Sequence, residues 1–248
     1  MTHKVAIVTG SSRGIGAAAA RQLAQCGYAI VLNYQHSATQ AGQLQREITA
    51  LGVPCIAVQA DVSKEQEVAE LFARADTLGS LAVLVNNAGI LKQQSSLSDI
   101  SVERFQHVMQ VNVLSCFLCT KEAIKRMSTT LGGTGGAIVN VSSTAAKSGA
   151  PHEYVDYAAS KGAMDTLTRG AAMELADQGI RVNAVRPALI YTDMHASGGE
   201  PGRVDRMQER IPLKRGGTVK EVAEAIVWLA TDKSSFVTGT FIDASGGL

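Results

Sequence analysis

Short apolar runs alternate along the chain with longer stretches in which apolar residues recur every three or four positions. The first run, residues 4–9, is followed by a helical pattern at 15–26, a run at 29–32 and a helical pattern at 38–51. The alternation continues through predicted strands at 55–59, 81–85, 137–141, 181–185 and 240–243, and predicted helices at 64–78, 102–127, 154–177 and 219–231. Strands that are apolar throughout are covered on both faces, so the pattern predicts an α/β fold: a doubly wound parallel sheet with helices on both faces.

Two stretches interrupt this alternation. Residues 131–136 read Leu-Gly-Gly-Thr-Gly-Gly, which we interpret as a flexible loop that only connects a helix to a strand. Residues 192–210 form the longest irregular stretch, and long insertions in compact domains tend to be lids or binding loops, so we predict a substrate loop at about 192–210. Because no linker or repeat interrupts the sequence, we predict a single domain over 1–248.

Composition narrows the functional classes. Hydrophobic residues make up 46% of the 248 residues and charged residues 18%, which is typical of a globular protein. The net charge of +1 gives no general attraction to nucleic acid or to an anionic membrane, and no apolar run approaches the length of a membrane span. We therefore expect no nucleic-acid partner, no membrane association and a cytoplasmic location.

The cysteines and histidines show no pattern that indicates a metal. Cys116 and Cys119 form a C-x-x-C inside an apolar helical stretch without further ligands nearby, so we interpret them as buried, reduced thiols, with a redox or metal role as the alternative. The five histidines lack metal-ligand spacing. We therefore predict no metal site.

A glycine-rich turn, Thr9-Gly-Ser-Ser-Arg-Gly-Ile-Gly16, ends the first predicted strand and precedes an alanine-rich helix. Gly10 permits a tight turn, while Gly14 and Gly16 let the backbone approach a pyrophosphate and let the helix, with its positive N-terminus, pack closely. A glycine trio alone can be merely a strand-to-helix turn, but between the first strand and helix of a βαβ unit it predicts a dinucleotide in a Rossmann-type sheet. The predicted contacts in this turn are Gly10, Ser12, Arg13, Gly14, Ile15 and Gly16.

The end of the second predicted strand indicates which dinucleotide is bound. An acidic residue there would bond the ribose hydroxyls and repel a 2′-phosphate, but residues 32–37 read Leu-Asn-Tyr-Gln-His-Ser, without a carboxylate. Arg13 offers a charged fork, Asn33 and Ser37 offer neutral donors, and Tyr34 lies between them. This pattern favours NADP(H), leaves NAD(H) possible, and has the alternative that Arg13 is an ordinary surface cation.

A second group of polar residues suggests catalysis. Tyr157 and Lys161 are four positions apart in a predicted helix, so that their side chains share one face. Ser142 and Ser143 close the preceding strand at its carboxyl end, where α/β sheets bind ligands, and Asn112 lies in the helix before it. A Tyr/Lys pair at this spacing is common by chance, and it gains weight from these neighbours.

Further motifs complete an ordered set over essentially the whole chain. The set consists of 9–16, Asp61-Val62, Asn86-Asn-Ala-Gly89, Asn112, Ser143, Tyr157-x-x-x-Lys161, 187–192 and Thr238-Gly-Thr with Ala244-Ser-Gly-Gly247. It resembles the motif set of the short-chain dehydrogenases/reductases of the single-domain kind. The resemblance implies an NADP(H)- or NAD(H)-dependent oxidoreductase that interconverts a secondary alcohol and a carbonyl of a small-molecule substrate.

The resemblance also implies roles for residues outside the turn. Asp61 and Val62 would hold the adenine, and the segment of Asn86, Asn87, Ala88 and Gly89 would stabilise the central strand beside the adenosine ribose. The nicotinamide carboxamide would be held by residues that follow a later strand. These are Pro187, Ile190 and Thr192.

Two departures from the family pattern affect this assignment. The residue after Pro187 is usually Gly, and Ala188 stands there instead. The serine-to-tyrosine spacing is one residue longer than usual, which raises the choice between Ser142 and Ser143. We select Ser143, because the second serine at this strand end is the usual catalytic one and the extra residue fits in the loop 147–153.

Physical chemistry assigns the catalytic roles independently. A tyrosine with an ordinary pKa of about 10 would need a pKa lower by roughly three units to act near neutrality, a differential stabilisation of about 4 kcal/mol. A cation at about 4 Å in an effective dielectric of about 20 supplies roughly that amount, so Lys161, together with an oxidised nicotinamide ring, is expected to tune Tyr157 as the general acid/base. Ser143 would bond the substrate oxygen, and Asn112 would hold a water that connects Lys161 to solvent.

Several alternatives remain at this level. A non-catalytic NADP-binding sensor or scaffold would be expected to lack Tyr157, Lys161 or Ser143, and none is missing. The substrate stays open between a 3-oxoacyl thioester, a sugar or polyol, and another ketone. The helices that carry Asn112 and Tyr157 are apolar over much of their surface, and the resemblance implies that such helices pair across subunits in a homotetramer or homodimer, with burial inside a monomer as the alternative.

Overall fold

The computed structural model describes residues 3–248, and its centre is a sheet of seven parallel strands. The strands are β1 (His3–Val8), β2 (Ala29–Tyr34), β3 (Cys55–Gln59), β4 (Gly79–Asn86), β5 (Gly136–Val141), β6 (Ile180–Pro187) and β7 (Phe241–Ala244). Their order across the sheet is β3-β2-β1-β4-β5-β6-β7. The predicted doubly wound, Rossmann-type parallel sheet is confirmed.

Helices connect the strands and lie on both faces of the sheet. The α-helices of residues 3–248 are α1 (Gly14–Gln25), α2 (Ala38–Thr49), α3 (Glu65–Asp76), α4 (Val102–Met109), α5 (Ser115–Met127), α6 (Ala145–Ser148), α7 (Val155–Leu175), α8 (Met194–Ser197), α9 (Arg203–Met207) and α10 (Val219–Ala230). A π-helical turn at Gln110–Leu114 joins α4 to α5. None of these helices combines the length and the hydropathy that crossing a bilayer would need.

Alternate residues of each central strand pack into different layers. In β1, Ala6 and Val8 face a cluster that includes α1 and α10, whereas Val5 and Ile7 face a cluster that includes α3, α5 and α7. All four side chains are fully buried. The two-residue period of a strand thus explains the continuous apolar runs, because both faces of the sheet are covered.

The structure differs from the predicted elements in two places. The helix predicted at 102–127 is divided by the π-helical turn, and the stretch 192–210, predicted as irregular, contains α8 and α9. Both differences arise where local packing overrides the simple sequence period.

The glycine-rich connection at 131–136 is packed rather than flexible. A Cβ added at Gly133 would lie 2.5 Å from the Met127 carbonyl oxygen, and one at Gly135 would lie 2.6 Å from the Gly179 carbonyl oxygen. Gly135 also has φ of 79°. The interpretation as a connector stands, but the glycines are there because neighbouring backbone lies too close for a side chain.

The carboxyl ends of all seven strands lie along one edge of the sheet. β1 lies between β2 and β4, so the chain leaves β1 in one direction for β2 and β3, and in the other for β4 to β7. Such a point of reversal opens a crevice at the carboxyl edge, where α/β sheets bind ligands.

Candidate active site

A cleft of about 700 Å³ opens at this edge. Its walls combine residues that follow β4, β5 and β6 with α7 and the segment 194–210. The predicted site residues that line it are Ile15, Asn87, Gly89, Ser143, Tyr157, Lys161, Pro187, Ile190 and Thr192. The remaining predicted residues lie in the turn after β1, at the end of β2 or just after it, after β3 and, for Ala88, after β4, while Asn112 lies in the π-helical turn.

Two glycines of the turn after β1 are required by packing. The Asn87 side chain donates hydrogen bonds to the carbonyls of Thr9 and Gly10, each at 2.9 Å. A Cβ at Gly16 would lie 2.5 Å from Asn87 Nδ2, and one at Gly10 would lie 2.9 Å from Ala88 Cα. The segment after β4 therefore braces the turn, and Gly10 and Gly16 leave it the room to do so.

Gly14 has a different role. Its φ is 59°, and a Cβ added there would meet no protein atom within 4 Å, so this backbone faces open space. Ser12 and Ile15 are half-buried beside it, and the side chain of Arg13 does not cap the first turn of α1. A pyrophosphate fits this cradle, because helix N-terminal amides are ready donors to an anion.

The end of β2 holds the turn from the other side. Asn33 is 2% exposed; its Oδ1 accepts from the Gly10 backbone N–H at 3.1 Å, and its Nδ2 donates to the Ala60 carbonyl at 2.9 Å. The amide thus stabilises the turn from inside the fold. Its nitrogen donates one of its two N–H groups in this way, so a donor role towards a phosphate stays a prediction. Tyr34 and Ser37 are half-buried after it and remain in reach of solvent.

Arg13 is exposed and lies close to Asp193, with Nη1 and Oδ2 separated by 3.6 Å. The side chains are 60% and 71% exposed, so solvent screens the pair strongly. The guanidinium can therefore exchange this partner for another anion without a large loss of free energy.

The predicted adenine residues follow β3. One carboxylate oxygen of Asp61 accepts from both the backbone N–H and the hydroxyl of Ser63, at 3.0 and 2.7 Å. Val62 is buried next to it. These contacts fix the loop at the same edge of the sheet as the glycine turn, two strands away.

The two serines after β5 have different surroundings. Ser142 is buried, and its hydroxyl donates to Asp165 Oδ1 at 2.6 Å. The Ser143 hydroxyl is half-buried, accepts from the Ala145 N–H at 3.1 Å and donates weakly to the Pro187 carbonyl at 3.4 Å. Both serines line the cleft, but the Ser142 hydroxyl is bonded to Asp165 whereas the Ser143 hydroxyl makes weaker bonds, so Ser143 stays the predicted catalytic serine.

Tyr157 and Lys161 lie in α7, one helical turn apart, as the spacing predicts. The Lys161 Nζ is 5.6 Å from the centroid of the Tyr157 ring, and it donates to the Val141 carbonyl at 2.7 Å. Both side chains line the cleft. The tyrosine, the lysine and Ser143 therefore face one space.

Burial acts in opposite directions on the pKa values of the tyrosine and the lysine. Burial raises the pKa of Tyr157 to about 12, against an opposing hydrogen bond with Ser143. Burial also lowers the pKa of Lys161 to about 8, although the nearby Cys116 and Asp165 act to raise it. In the protein without cofactor, desolvation sets the pKa of Tyr157, and the Lys161 ammonium donates to the Val141 carbonyl. The expected lowering requires an oxidised nicotinamide beside Lys161 and stays a prediction.

Asn112 lies fully buried in the π-helical turn. Its Oδ1 accepts from the Ile90 N–H at 2.7 Å, and its Nδ2 donates to the Ile90 carbonyl and the Ser160 hydroxyl at 3.1 and 3.0 Å. Both amide protons are therefore used. The side chain connects the segment after β4 to α7, and the predicted water would have to bond the second lone pair of Oδ1 or the backbone of Asn112.

The residues after β6 form the far wall of the cleft. Pro187 is buried, Ala188 and Thr192 are half-buried, and Ile190 pairs with Gly217 in an isolated bridge. The Ile190 carbonyl accepts from His195 Nε2 at 3.0 Å. The segment is thus held from two sides at the position where the resemblance places a nicotinamide.

The sequence reasoning missed the charged residues that close the cleft. The guanidinium of Arg203 donates to both carboxylate oxygens of Glu153, at 2.9 and 2.5 Å, and lies 5.4 Å from the ring of Tyr154. The Tyr154 hydroxyl donates to the Gly198 carbonyl at 3.2 Å. The stretch 192–210 was identified as a loop, but no spacing in the sequence pairs residues 50 positions apart.

Comparisons with known proteins agree with this geometry. A family model described as Enoyl-(Acyl carrier protein) reductase matches residues 10–248. The chain is 56% identical over 244 residues to the uncharacterized oxidoreductase YgfF of Escherichia coli strain K12, which spans 98% of this chain and 99% of that protein.

Two solved structures share the fold over nearly the full length. The 3-ketoacyl-(acyl-carrier-protein) reductase of Brucella melitensis, complexed with NADH, superposes with a TM-score of 0.90 at 30% identity, covering 98% of this chain and 97% of that one. A short chain dehydrogenase of Burkholderia cenocepacia J2315, in complex with NADP, gives a TM-score of 0.89 at 33% identity with the same coverage of both chains.

Proposed function

The chain belongs to the short-chain dehydrogenase/reductase family, and on that premise we propose that it interconverts a secondary alcohol and a carbonyl with NADP(H), using Tyr157 as general acid/base. The family membership makes it an oxidoreductase that acts on CH–OH groups. The observation that carries the finer proposal is the convergence of Tyr157, Lys161 and Ser143 on one cleft beside the glycine turn. A non-catalytic sensor would have no need of this convergence.

The preference for NADP(H) rests on the charges near β2. No carboxylate follows Tyr34 before α2, and Arg13 is an exposed cation in the turn. A 2′-phosphate would therefore meet a positive charge and no negative one at this strand end. The structural relatives bind NADH in one case and NADP in the other, so NAD(H) is kept as the second cofactor to test.

Ser143 and Tyr157 have different roles in the proposed reaction. Ser143 donates a hydrogen bond to the substrate oxygen and stabilises the negative charge that develops on it. Tyr157 gives its phenolic proton to that oxygen in reduction and takes a proton from the alcohol in oxidation. NADPH, when bound, supplies the hydride for reduction.

The pH dependence follows from the two titrating groups. With a pKa of about 12, Tyr157 is protonated throughout the neutral range, which suits a proton donor in carbonyl reduction. Lys161, with a pKa of about 8, is charged below that pH and neutral above it. Proton donation leaves a phenolate on Tyr157, which the ammonium of Lys161, 5.6 Å from the ring, stabilises while it is charged. We therefore expect kcat/KM for reduction to fall as the pH rises through about 8, as Lys161 loses its charge.

The substrate is a ketone or its secondary alcohol. The cleft wall beyond Tyr157 includes apolar side chains such as Leu91, Met194 and Met207, and polar ones such as Glu153 and His195. An acyl chain would use the former and a polyol the latter. The panel for testing therefore contains 3-oxoacyl thioesters, sugars and simple ketones.

We also propose one catalytic unit over 1–248, with 192–210 as its substrate loop, which associates into a homotetramer or homodimer. Support comes from large apolar side chains exposed on three helices: Phe105, Phe117 and Met173 are 42%, 48% and 85% exposed on α4, α5 and α7. Light scattering after gel filtration would measure the mass in solution, and a mass of 26 kDa would contradict self-association.

The test is the oxidation of NADPH and of NADH by the purified protein across this panel. We expect turnover with NADPH, and a loss of about 10²- to 10⁴-fold in the Tyr157→Phe variant, which keeps the ring and removes the proton. Tyr28→Phe is the matched control, because it removes the same hydroxyl from a tyrosine just before β2 that does not line the cleft. This variant should retain full activity. Turnover that survives Tyr157→Phe would exclude the proposed role.

A further inference from the structure

A chain of charged side chains runs behind the cleft, from α7 to the far edge of the sheet. Asp165 Oδ2 accepts from Arg186 Nε at 2.9 Å and lies 2.7 Å from its Nη2. Arg186 Nη1 lies 3.5 Å from Asp243 Oδ1, and the other oxygen of Asp243 accepts from Lys147 Nζ at 2.8 Å. Asp165 and Arg186 are 5% and 9% exposed, so the centre of this chain is buried.

Asp165 lies in the helix of Tyr157 and Lys161 and contacts the segment that carries Ser143 and the strand that ends at Pro187. It lies in α7, one turn after Lys161, and it accepts the Ser142 hydroxyl proton at 2.6 Å next to Ser143 in the segment after β5. Its partner Arg186 precedes Pro187 in β6, and the Pro187 carbonyl accepts from the Thr144 N–H at 3.0 Å. The Asp165–Arg186 pair therefore ties α7, β5 and β6 together immediately behind the catalytic groups.

Asp165 lies one helical turn from Lys161 and acts to raise the pKa of that lysine. The other group that favours the charged lysine is Cys116 from α5, but burial raises the pKa of that thiol to about 11, so it is neutral at neutral pH. The remaining charges around α7 belong to other pairs: Arg104 from α4 is bonded to Asp156, and Arg169 stacks 4.7 Å from Phe241. Removal of the Asp165 charge is therefore expected to make Lys161 lose its proton at lower pH.

Stability alone does not account for a pair of this kind. Two buried charges lose much of their hydration, and replacement by apolar residues of similar size is often neutral or stabilising. The pair also sits where a hydrophobic contact between α7 and β6 would serve the fold. Its charge and its hydrogen bond to Ser142 are what such a contact could not provide.

We propose that Asp165, held by Arg186, is a positioning residue for the reaction, acting as counter-ion to Lys161 and as anchor for the segment that carries Ser143. The inference rests on the proposed function of Lys161 and Ser143, but its electrostatic part concerns the unliganded protein. It can therefore be tested without a substrate.

The test is the titration of Lys161 by NMR, with lysine labelled at ¹³Cε and the signal assigned by its absence in Lys161→Arg. In Asp165→Asn, the midpoint of the Lys161 titration should move to lower pH by about 0.5 to 1 unit, the size expected for loss of one partly screened charge nearby. Asp165→Glu restores the charge and should restore most of the midpoint. An unchanged midpoint in Asp165→Asn would overturn the inference.

A matched control separates charge from general destabilisation. Glu122 forms a comparable pair with Arg126, at 2.7 Å with side chains 12% and 20% exposed, and belongs to no part of the cleft. Glu122→Gln should leave the Lys161 midpoint in place, and a shift equal to that of Asp165→Asn would contradict a specific role. If Asp165→Asn does not fold because Arg186 is left unpaired, the double variant Asp165→Asn/Arg186→Gln removes both charges. Because Asp165 acts on the pKa of Lys161 more strongly than Arg186 does, the midpoint should still move to lower pH, by a smaller amount.

Measurements of activity then test the role of Asp165 and the proposed function separately. In Asp165→Asn, the fall of kcat/KM for reduction at high pH should move to lower pH by the same amount as the Lys161 midpoint. A moved midpoint with an unmoved activity profile would support the counter-ion role and contradict the role of Lys161 in the proposed function. A wild-type enzyme without activity on any substrate would count against the proposed function alone.

Discussion

The two sides of the cleft are held together by different kinds of interaction. On the cofactor side, the turn after β1 is fixed by backbone groups and short neutral side chains, as in the bonds of Asn33 to Gly10 and of Asn87 to Thr9. On the substrate side, charged side chains carry most of the contacts, as in the pair Arg203–Glu153. Neutral short bonds fix one geometry, whereas long charged side chains can separate and re-form.

Backbone conformation differs between the two sides as well. The positive φ values in the turn after β1 belong to Gly10 and Gly14, which adopt them without strain. In the loop before α7, Ala150 and His152 have φ of 43° and 63°, although neither is a glycine. This is the loop to which the extra residue between Ser143 and Tyr157 was assigned, and it stores backbone strain beside the substrate.

These differences in bonding and backbone conformation indicate which side of the cleft can adapt to a different ligand. On the cofactor side, neutral hydrogen bonds hold Thr9, Gly10 and Ser11, so we expect this part of the turn to keep one geometry, which suits a constant ligand. The substrate side is a set of ion pairs and strained residues on two loops, which can vary while the sheet stays intact.

Among the substitutions that test this contrast between the two sides, Gly16→Ala on the cofactor side is expected to have the largest effect. The new methyl group would press on Asn87 and Gly10, which we expect to destabilise the fold by about 1–3 kcal/mol. The melting temperature would fall by about 3–10 °C, and NADPH would bind at least about tenfold more weakly, since 1.4 kcal/mol is tenfold in affinity. Calorimetry and fluorescence titration measure the two effects.

Gly42→Ala is the control for this prediction. Gly42 lies in α2, where the nearest atom to an added Cβ is the flexible end of Arg46 at 3.8 Å. The exchange should stabilise the protein by about 0.5–1 kcal/mol through helix propensity. A Gly16→Ala variant that behaves like Gly42→Ala would contradict the packing role of Gly16.

The same contrast explains what the sequence could predict. The strands, the sheet class and the glycine turn follow from local patterns, because the apolar period and the spacing of Gly10, Gly14 and Gly16 are contained in short segments. The placement of Tyr157 beside Lys161 follows from helix geometry. Each of these predictions depends on neighbours in the chain.

Properties that depend on distant partners were not predictable. The π-helical turn at Asn112, the burial of Asn33 and the pairing of Glu153 with Arg203 all arise from contacts between segments far apart in the sequence. The raised pKa of Tyr157 belongs to the same class, because burial cannot be read from the two residues alone.

The second-largest effect is expected on the substrate side, from Arg203→Met. Methionine keeps the length and removes the bonds to Glu153 and Glu200, which are charge-assisted and 11% exposed on the arginine side. These bonds hold the segment 192–210 over the cleft, and we expect their loss to weaken substrate binding by about 1.5 kcal/mol. KM for the carbonyl substrate would then rise about tenfold, while the affinity for NADPH would change less than about twofold. Steady-state kinetics with each ligand varied in turn would show this split.

Arg206→Met provides the comparison for this substitution. Arg206 also pairs with Glu200, but its side chain is 55% exposed and does not line the cleft. In Arg206→Met, KM for the carbonyl substrate should change less than about twofold. Equal effects of the two substitutions would show that Arg203 acts through general charge rather than by closing the loop.

A smaller effect is expected from Arg13→Gln, where the two sides meet. Because Arg13 is exposed, its contact with a 2′-phosphate should be worth about fivefold in KM for NADPH, with KM for NADH unchanged. Arg21→Gln, which breaks another exposed pair farther along α1, should change neither. Equal losses for both cofactors in Arg13→Gln would contradict the proposed 2′-phosphate contact.

The smallest effect concerns strain. His152→Gly should relieve a left-handed residue and stabilise the protein by about 1 kcal/mol, or about 2–4 °C in melting temperature. His152→Ala keeps the strain and should give no such gain. If both variants melt at the wild-type temperature, the loop is not strained in solution.

The central claim is hydride transfer with proton transfer from Tyr157, and isotope transfer tests it most directly. The enzyme is supplied with NADPH deuterated at both C4 positions and with the ketone of the panel that it reduces fastest, and the alcohol is analysed by mass spectrometry. We predict one deuterium on the carbinol carbon for each NADPH consumed, and a Tyr157→Phe variant that binds NADPH but forms almost no alcohol. Alcohol without deuterium, or deuterated alcohol formed at the wild-type rate by Tyr157→Phe, would contradict the account.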